Sequence, residues 1–295
     1  MAGKNGNLHA AKKAKNDEFY TQLTDIEKEL QHYNDFFNGK AVYCNCDHQT
    51  ESNFPRYFLE HFEELGLERL TATCYMSGGL GWKGEKIKGG EYTVEQLDGD
   101  GDFRSDECVG LLKQADVVVT NPPFSLFREY VKQLMEYNKK FLIIGNQNAI
   151  TYKEIFPYIK NNQLWLGTTN NNGMYYLVPK DYEYSASYKF QKVINGQQVC
   201  RVPSVCWFTN IENPRRNTPL DLYRKYNEKD FPKYDNYDAI EVSKVTEIPE
   251  DYNGVMGVPI TFLYKYCPDQ FTLLSLLGPY VNGKAIYKRL LIRRK

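Results

Sequence analysis

Between residues 40 and 146 the apolar positions of the chain alternate between two rhythms. Short unbroken runs stand at 40–46 ("KAVYCNC"), 69–76 ("RLTATCYM"), 115–120 ("ADVVVT") and 140–146 ("KFLIIGN"). Runs of that length and type predict strands buried on both faces. Helical spacing fills the gaps. "NFPRYFLEHFEELG" puts Phe54, Tyr57, Phe58, His61, Phe62 and Leu65 on one stripe closed by Gly66, with His61 read as a packed core histidine. "SDECVGLLKQ" predicts a short helix opening at Ser105, and "SLFREYVKQLMEYN" a helix opening at Ser125 with Leu126, Tyr130, Leu134 and Tyr137 on one side. Upstream, Ile26, Leu30 and Tyr33 share a helical face behind a capping Asp25. Strand alternating with helix implies crossover units and a parallel sheet, so the predicted class is α/β.

The rest of the chain is less periodic. Residues 77–92 are rich in Gly and Lys and read as a flexible loop. "YKEIFPYIKNN" predicts a helix disturbed by Pro157. Three short strands follow in "QLWLGT", "YYLVP" and "SVCWFTN". Residues 1–16 are small, polar and basic and read as a mobile arm. The expected division is a domain over 17–210 and a further region over 211–295 packed on it.

Composition changes this picture little. With 295 residues and 42% hydrophobic content the chain is long enough for one large domain with a subdomain. Its formal net charge is zero, so binding to a polyanion would have to use local basic patches. Three are present: Lys4, Lys12, Lys13 and Lys15; Arg215 with Arg216; and the C-terminal "KRLLIRRK". Seven scattered cysteines, without signal peptide or long apolar run, fit a reduced cytoplasmic protein. No metal is expected. Cys44, Cys46 and His48 lack the second ligand pair of a structural zinc site. Asp98, Asp100 and Asp102 open like a calcium loop, but Phe103 and Val109 stand where glycine and glutamate are needed.

The sharpest chemical signal is "TNPPF" at 120–124, directly after the valine strand. In an open parallel sheet ligands bind beyond the carboxyl ends of the strands. An exocyclic amine on a nucleobase is a poor nucleophile because its lone pair is delocalised into the ring. Two acceptors on its two N–H groups favour a pyramidal nitrogen with the lone pair aimed at a methyl donor. The Asn121 side chain and the Pro122 carbonyl offer those acceptors. Pro122 and Pro123 fix the backbone, so little reorganisation is needed as charge develops. Phe124 offers a face on which a base swung out of a duplex can stack.

"TNPPF" is similar to the catalytic motif of amino-methyltransferases that use S-adenosylmethionine. Together with "AKNDEFYTQLTDIEKEL", "VYCNCD", "GDGDFRS", "KFLIIGN", "FPKYDNYDAI" and "DYNGVMGVPITFLYKY", it resembles the EcoRI-type modification methylases, which are adenine-specific DNA methyltransferases. The resemblance implies a Rossmann-like methyltransferase sheet with a small irregular target-recognition region. It implies catalysis by Asn121, Pro122, Pro123 and Phe124, with S-adenosylmethionine held by Phe19, Tyr20, Thr21, Cys44, Asp47, Asp102 and Phe103. Asn53 either contacts that cofactor or caps its helix. Two features depart from the wider methyltransferase pattern: the turn "CNCDHQTESN" has no glycine, and "CYMS" puts no acid directly after the second strand.

The substrate so implied is double-stranded DNA with a short palindromic site such as GAATTC. The chain would act as a monomer, alone or beside a cognate restriction endonuclease. Lys12, Lys13, Arg215, Arg216 and Tyr237 are the candidate DNA contacts, and Lys83, Lys86 and Lys88 could close over DNA or cofactor. Two rivals stand beside this reading: methylation of another planar amine, on protein glutamine or RNA, and a DNA-binding relative without catalysis.

Overall fold

The computed structural model describes residues 20–169, 174–177, 191–194, 197–202 and 204–295. The chain divides into two units, Met1–Gln147 with Asn171–Trp207, and Asn148–Asn170 with Phe208–Lys295. It passes between them at three places, after Gln147, Asn170 and Trp207. The 1–16 arm, with Lys12 and Lys13, lies outside the described residues, as does Phe19.

The first unit opens with β1 (Tyr20–Thr21), α1 (Leu23–Leu30) and a short α2 (Asn34–Phe37). It continues through β2 (Ala41–Cys44), α3 (Asn53–Glu60), β3 (Arg69–Cys74), β4 (Trp82–Ile87) and β5 (Thr93–Gln96). Then come α4 (Asp106–Gln114), β6 (Val117–Thr120), α5 (Phe127–Glu136) and β7 (Lys140–Asn146). The predicted strands form because their side chains are buried on both faces: all four residues of β6 are buried, as are Phe141, Leu142, Ile143 and Ile144 of β7. In the sheet β3, β2, β6 and β7 lie side by side and parallel. Helices α3, α4 and α5 fall in the connections between them. Asn45, Tyr75, Asn121 and Gln147 follow the last residues of these strands, on one edge of the sheet.

Several local expectations are corrected. The 77–92 stretch is not a loop throughout: β4 pairs antiparallel with β3, and β5 with β4. Lysines that read as free cations are tied down there. Lys83 is 2.6 Å from Glu95, Lys88 is 2.8 Å from Glu68, and Lys86 lies 4.5 Å above the Phe62 ring. Helix α1 starts at Leu23, which places Asp25 inside the first turn, where its charge suits the helix dipole, rather than at the cap. Ser125 opens no α-helix. A 3₁₀ turn over Phe124–Leu126 comes first, fixed by the Leu126 N–H donating to the Pro123 carbonyl at 3.0 Å. His61 is half-exposed and pairs with Glu64 at 2.8 Å. Ser105 does cap α4, accepting the Cys108 N–H at 3.2 Å.

A second, antiparallel sheet of the first unit joins β1 to β9 (Met174–Leu177), β11 (Gln197–Val202) and β10 (Gln191–Ile194). "DGDGDF" is laced to the end of β3: the Met76 N–H donates to the Asp100 carbonyl and the Gly81 N–H to the Gly99 carbonyl, both at 2.8 Å. Gly101 sits at φ +80°, and a Cβ there would lie 2.2 Å from the Cys74 carbonyl oxygen. Gly101→Ala is therefore expected to destabilise the first unit by about 2–4 kcal/mol, combining a left-handed backbone with a backbone clash. A urea titration checks this, and a loss below ~0.5 kcal/mol would contradict it.

In the second unit β8 (Trp165–Leu166) pairs antiparallel with Phe208 and Thr209, the last residues of β12 (Val205–Thr209). Pro157 starts rather than disturbs α6 (Phe156–Lys160), since its fixed φ suits a first helical turn. A sheet ordered β13 (Ile240–Glu241), β14 (Met256–Val258), β16 (Arg289–Arg294), β15 (Phe271–Leu277) packs around Phe262, Phe271 and Leu290–Ile292. The basic "KRLLIRRK" is thus largely a core strand. Arg289 is held by the buried Glu241 at 2.6 Å and is not a free basic residue.

Candidate active site at the carboxyl edge of the parallel strands

The ends of β2 and β6 are joined by one carboxylate. Asp47, three residues beyond β2, is only 6% exposed. Its N–H donates to the Thr73 carbonyl of β3 at 3.1 Å. Its side chain accepts hydrogen bonds from the Ser52 hydroxyl at 2.5 Å, the Thr120 hydroxyl, and the Asn121 backbone N–H. Ser52 is also the N-cap of α3, accepting the Phe54 N–H at 3.5 Å. One residue on, the Asn53 amide donates to the Thr21 carbonyl at 2.7 Å. Through the Ser52–Asn53 peptide, these hydrogen bonds link Thr21 to "TNPPF". Neither Ser52 nor Thr120 was singled out from the sequence.

A second layer supports the first. Tyr130 of α5 donates its hydroxyl to the Asn45 side-chain oxygen. Phe103 packs edge-to-face on Tyr130 with ring centroids 5.0 Å apart, and Gln133 donates to the Phe103 carbonyl at 3.1 Å. Burial pushes the Tyr130 hydroxyl and the Cys44 and Cys46 thiols well up, which keeps them neutral. Burial also raises the Asp47 carboxyl to about 6, against the opposing pull of its bonds from Ser52, Thr120 and Asn121.

The candidate residues are placed unequally. Thr21, Asp47, Asn53 and Asn121 are brought together by this network, and Asn45, two residues before Asp47, is held by Tyr130. Cys44, the last residue of β2, is wholly buried. Both oxygens of Asp102 are engaged by Arg104, at 2.9 and 2.6 Å, and these bonds hold its carboxyl below the usual range. Phe103 is buried against Tyr130. Pro122 is buried, Pro123 exposed and Phe124 half-buried. Among the described residues, none of the hydrogen bonds goes to the Pro122 carbonyl. The Tyr20 side chain lies outside the described residues.

Several polar atoms on these elements are left over and bear on the kind of ligand they suit. Among the described residues the Asn45 Nδ2, the Thr21 Oγ1 and the Gln22 Nε2 are buried without a hydrogen-bond partner, and so is the acceptor Gln133 Oε1. Such groups cost about 1–3 kcal/mol each unless something pairs with them. Three donors suit a ligand carrying a carboxylate, and an acceptor suits an amine or hydroxyl. An amino-acid-bearing cofactor offers all of these.

In the second unit Arg216 stacks 3.8 Å above the Trp165 ring and bonds Glu212 at 2.7 Å, so it is spent on the fold. Arg215 donates to the Thr168 carbonyl and lines a cleft of about 430 Å³ with Thr218, Tyr223 and Lys265. Tyr237 is exposed.

The model of a family described as adenine-specific methyltransferase EcoRI matches residues 7–295. The chain is 48% identical to the Type II methyltransferase M.EcoRI of Escherichia coli, over 98% of this chain and 96% of the relative. It is 40% identical to a Type II methyltransferase of Mycoplasma genitalium over 98% of both chains. Identity to the Type II methyltransferase M.MpnI of Mycoplasma pneumoniae is 44%, over 93% of this chain and 87% of the relative. No solved structure matches the chain.

Proposed function

We propose, from the premise that the chain belongs to the family of adenine-specific EcoRI methyltransferases, a mechanism for an adenine-specific DNA methyltransferase of a restriction–modification system. The target adenine leaves the duplex and its N6 is methylated by direct displacement at the edge where β2 and β6 end. The observation that carries this reading is the strand end itself: β6 stops in Thr120-Asn121-Pro122-Pro123-Phe124, and Asp47 clamps that turn to the neighbouring strand.

Asn121 and the Pro122 carbonyl accept hydrogen bonds from the two N6–H groups, and N6 gives up one proton once the methyl group is in place. The lone pair turns out of the ring plane toward the methyl donor. Phe124, half-buried beside them, stacks on the extruded base. Substrate amine and acceptors are preorganised, so no ionised base is needed before attack. S-adenosylmethionine is the donor that fits the unpaired groups, and it supplies a methyl group on a sulfonium. Thr21, Gln22 and Asn45 would hold its amino-acid end, and Gln133 an amine or hydroxyl. The sheet order, with helices in the parallel crossovers, supports a Rossmann-like reading of the fold.

The second unit is the target-recognition region in this reading. Its cleft offers Arg215 and Lys265 to phosphate or base edges, with Tyr223 81% exposed beside them. A short palindrome, each strand methylated in turn by a monomer, and a companion endonuclease complete the proposal. The whole-length match to an adenine-specific family leaves the other planar amines without support.

Base extrusion gives the test. With 2-aminopurine at the target position, adding protein and cofactor is expected to raise its fluorescence as the base unstacks. Phe124→Ala is expected to weaken that signal and raise the KM for DNA severalfold. If fluorescence is the same for both proteins, Phe124 does not hold the base.

A further inference from the structure

We propose that Asp47 is a positioning residue for methyl transfer: its carboxylate fixes the turn carrying Asn121 by accepting the Thr120 hydroxyl and the Asn121 N–H while Ser52 holds it from behind. The proposal rests on the reading of Asn121 as the amine acceptor.

The geometry separates Asp47 from a ligand contact. Its two oxygens are taken, Oδ1 by Ser52 at 2.5 Å and Oδ2 by Thr120, and the Asn121 N–H adds a third bond. At 6% exposure little of it faces outward. All three donors belong to elements that frame the site: the cap of α3, the last residue of β6, and the turn itself. Pro122 removes a backbone donor directly after Asn121, so the peptide carrying Asn121 depends on the bond from its own N–H. A carboxylate accepting a backbone N–H is a strong, directional tether. Without it the Asn121 oxygen would wander over distances that matter for an acceptor placed at bonding range.

The charge state of this tether is exposed to pH. The ionised form accepts all three bonds, whereas a protonated carboxyl gives up one acceptor. Burial lifts the group to about 6, so the tether weakens as pH falls through that value. The titratable groups that face it are Cys44 and Cys46 on its own segment and Tyr130 on α5, all pushed up by burial and neutral there. His48 turns away, its Nδ1 accepting the N–H groups of Thr50 at 3.4 Å and Glu51 at 3.3 Å. Because the folded chain binds this proton more tightly than the unfolded chain, the group by itself favours folding more at pH 4 than at pH 7. An acid-side loss of turnover from Asp47 is therefore not unfolding.

The experiment compares wild type, Asp47→Asn, Thr120→Val and His48→Asn. It reads kcat from pH 5 to 8, the affinity for S-adenosylmethionine by calorimetry, and folding by circular dichroism. The wild type is expected to lose kcat about tenfold per pH unit below about 6. Asp47→Asn is expected to lower kcat tenfold or more at pH 7.5, to flatten that acid limb, and to change cofactor affinity less than threefold. Thr120→Val removes one bond to the ionised form, so its acid limb is expected to move to higher pH, which keeps the test open should Asp47→Asn not fold. His48→Asn is expected to retain the limb.

Three results would overturn the proposal: an acid limb that persists in Asp47→Asn, a loss seen wholly in cofactor affinity, or a Thr120→Val limb that does not move. The two readings fail separately. If Asn121→Ala retains turnover, the acceptor assignment is wrong. If Asn121→Ala is inactive while Asp47→Asn behaves as wild type, only the positioning role is wrong.

Discussion

Asn121→Ala is expected to lower kcat for DNA methylation about a hundredfold or more while leaving the affinity for S-adenosylmethionine within about threefold of wild type. A hundredfold corresponds to about 2.7 kcal/mol of lost transition-state stabilisation. The reason for the split is positional. Asn121 follows the last residue of β6, and its N–H, not its side chain, is the group bonded to Asp47. Alanine keeps that N–H and both prolines, so the turn survives and only the acceptor is lost. The groups suited to the cofactor's amino-acid end, Thr21, Gln22 and Asn45, belong to other segments. Steady-state rates with tritiated methyl donor and a calorimetric titration measure both sides. Near-normal turnover would remove Asn121 from the chemistry, and a parallel collapse of cofactor binding would make its role structural.

Arg289→Ala is expected to destabilise the second unit by about 3–5 kcal/mol, the effect of stranding a buried charge. Glu241 is 6% exposed and accepts from Arg289 at 2.6 Å, from the Tyr234 hydroxyl at 2.5 Å and from the Ser243 hydroxyl at 3.1 Å. Removing the guanidinium leaves this carboxylate among the strands of the sheet with neutral partners only. Glu241 lies on β13 and Arg289 on the strand that pairs with the other side of β14, so the ion pair reaches across β14. Guanidinium unfolding followed by circular dichroism gives the size. The double replacement Glu241→Gln with Arg289→Met is expected to recover part of the loss, because it removes the stranded charge. A single-variant loss under 1 kcal/mol would show that water reaches Glu241.

What could be read from the sequence follows burial. β6 and β7 were legible because Val117–Val119 and Phe141–Ile144 have no solvent-facing side and leave an unbroken apolar run. β4 and β5 were not, because "TVEQ" is exposed throughout, "WKGEKI" is mostly half-buried, and neither carries an apolar alternation. Backbone pairing to β3 and ion pairs such as Lys83 with Glu95 form them, and neither leaves a local pattern. In "KRLLIRRK" the charges drew the eye from Leu290–Ile292, which are the part that matters to the fold. At the site, "TNPPF" declared itself by composition. The Asp47 tether did not, because Thr120 is 73 residues away and only the closed sheet brings the two together.

On the proposed assignment of recognition to the second unit, the three passages of the chain between the units limit how specificity can change. Residues 148–170 belong with 208–295, and β8 within them finds its partner in Phe208 and Thr209. A gene fragment exchanged at a single point between Trp207 and Phe208 would separate β8 from the residues it pairs with. Recombination between relatives must therefore move two separate pieces together to transplant the second unit whole. New recognition sequences in this architecture are expected to arise by substitution in place more readily than by modular exchange.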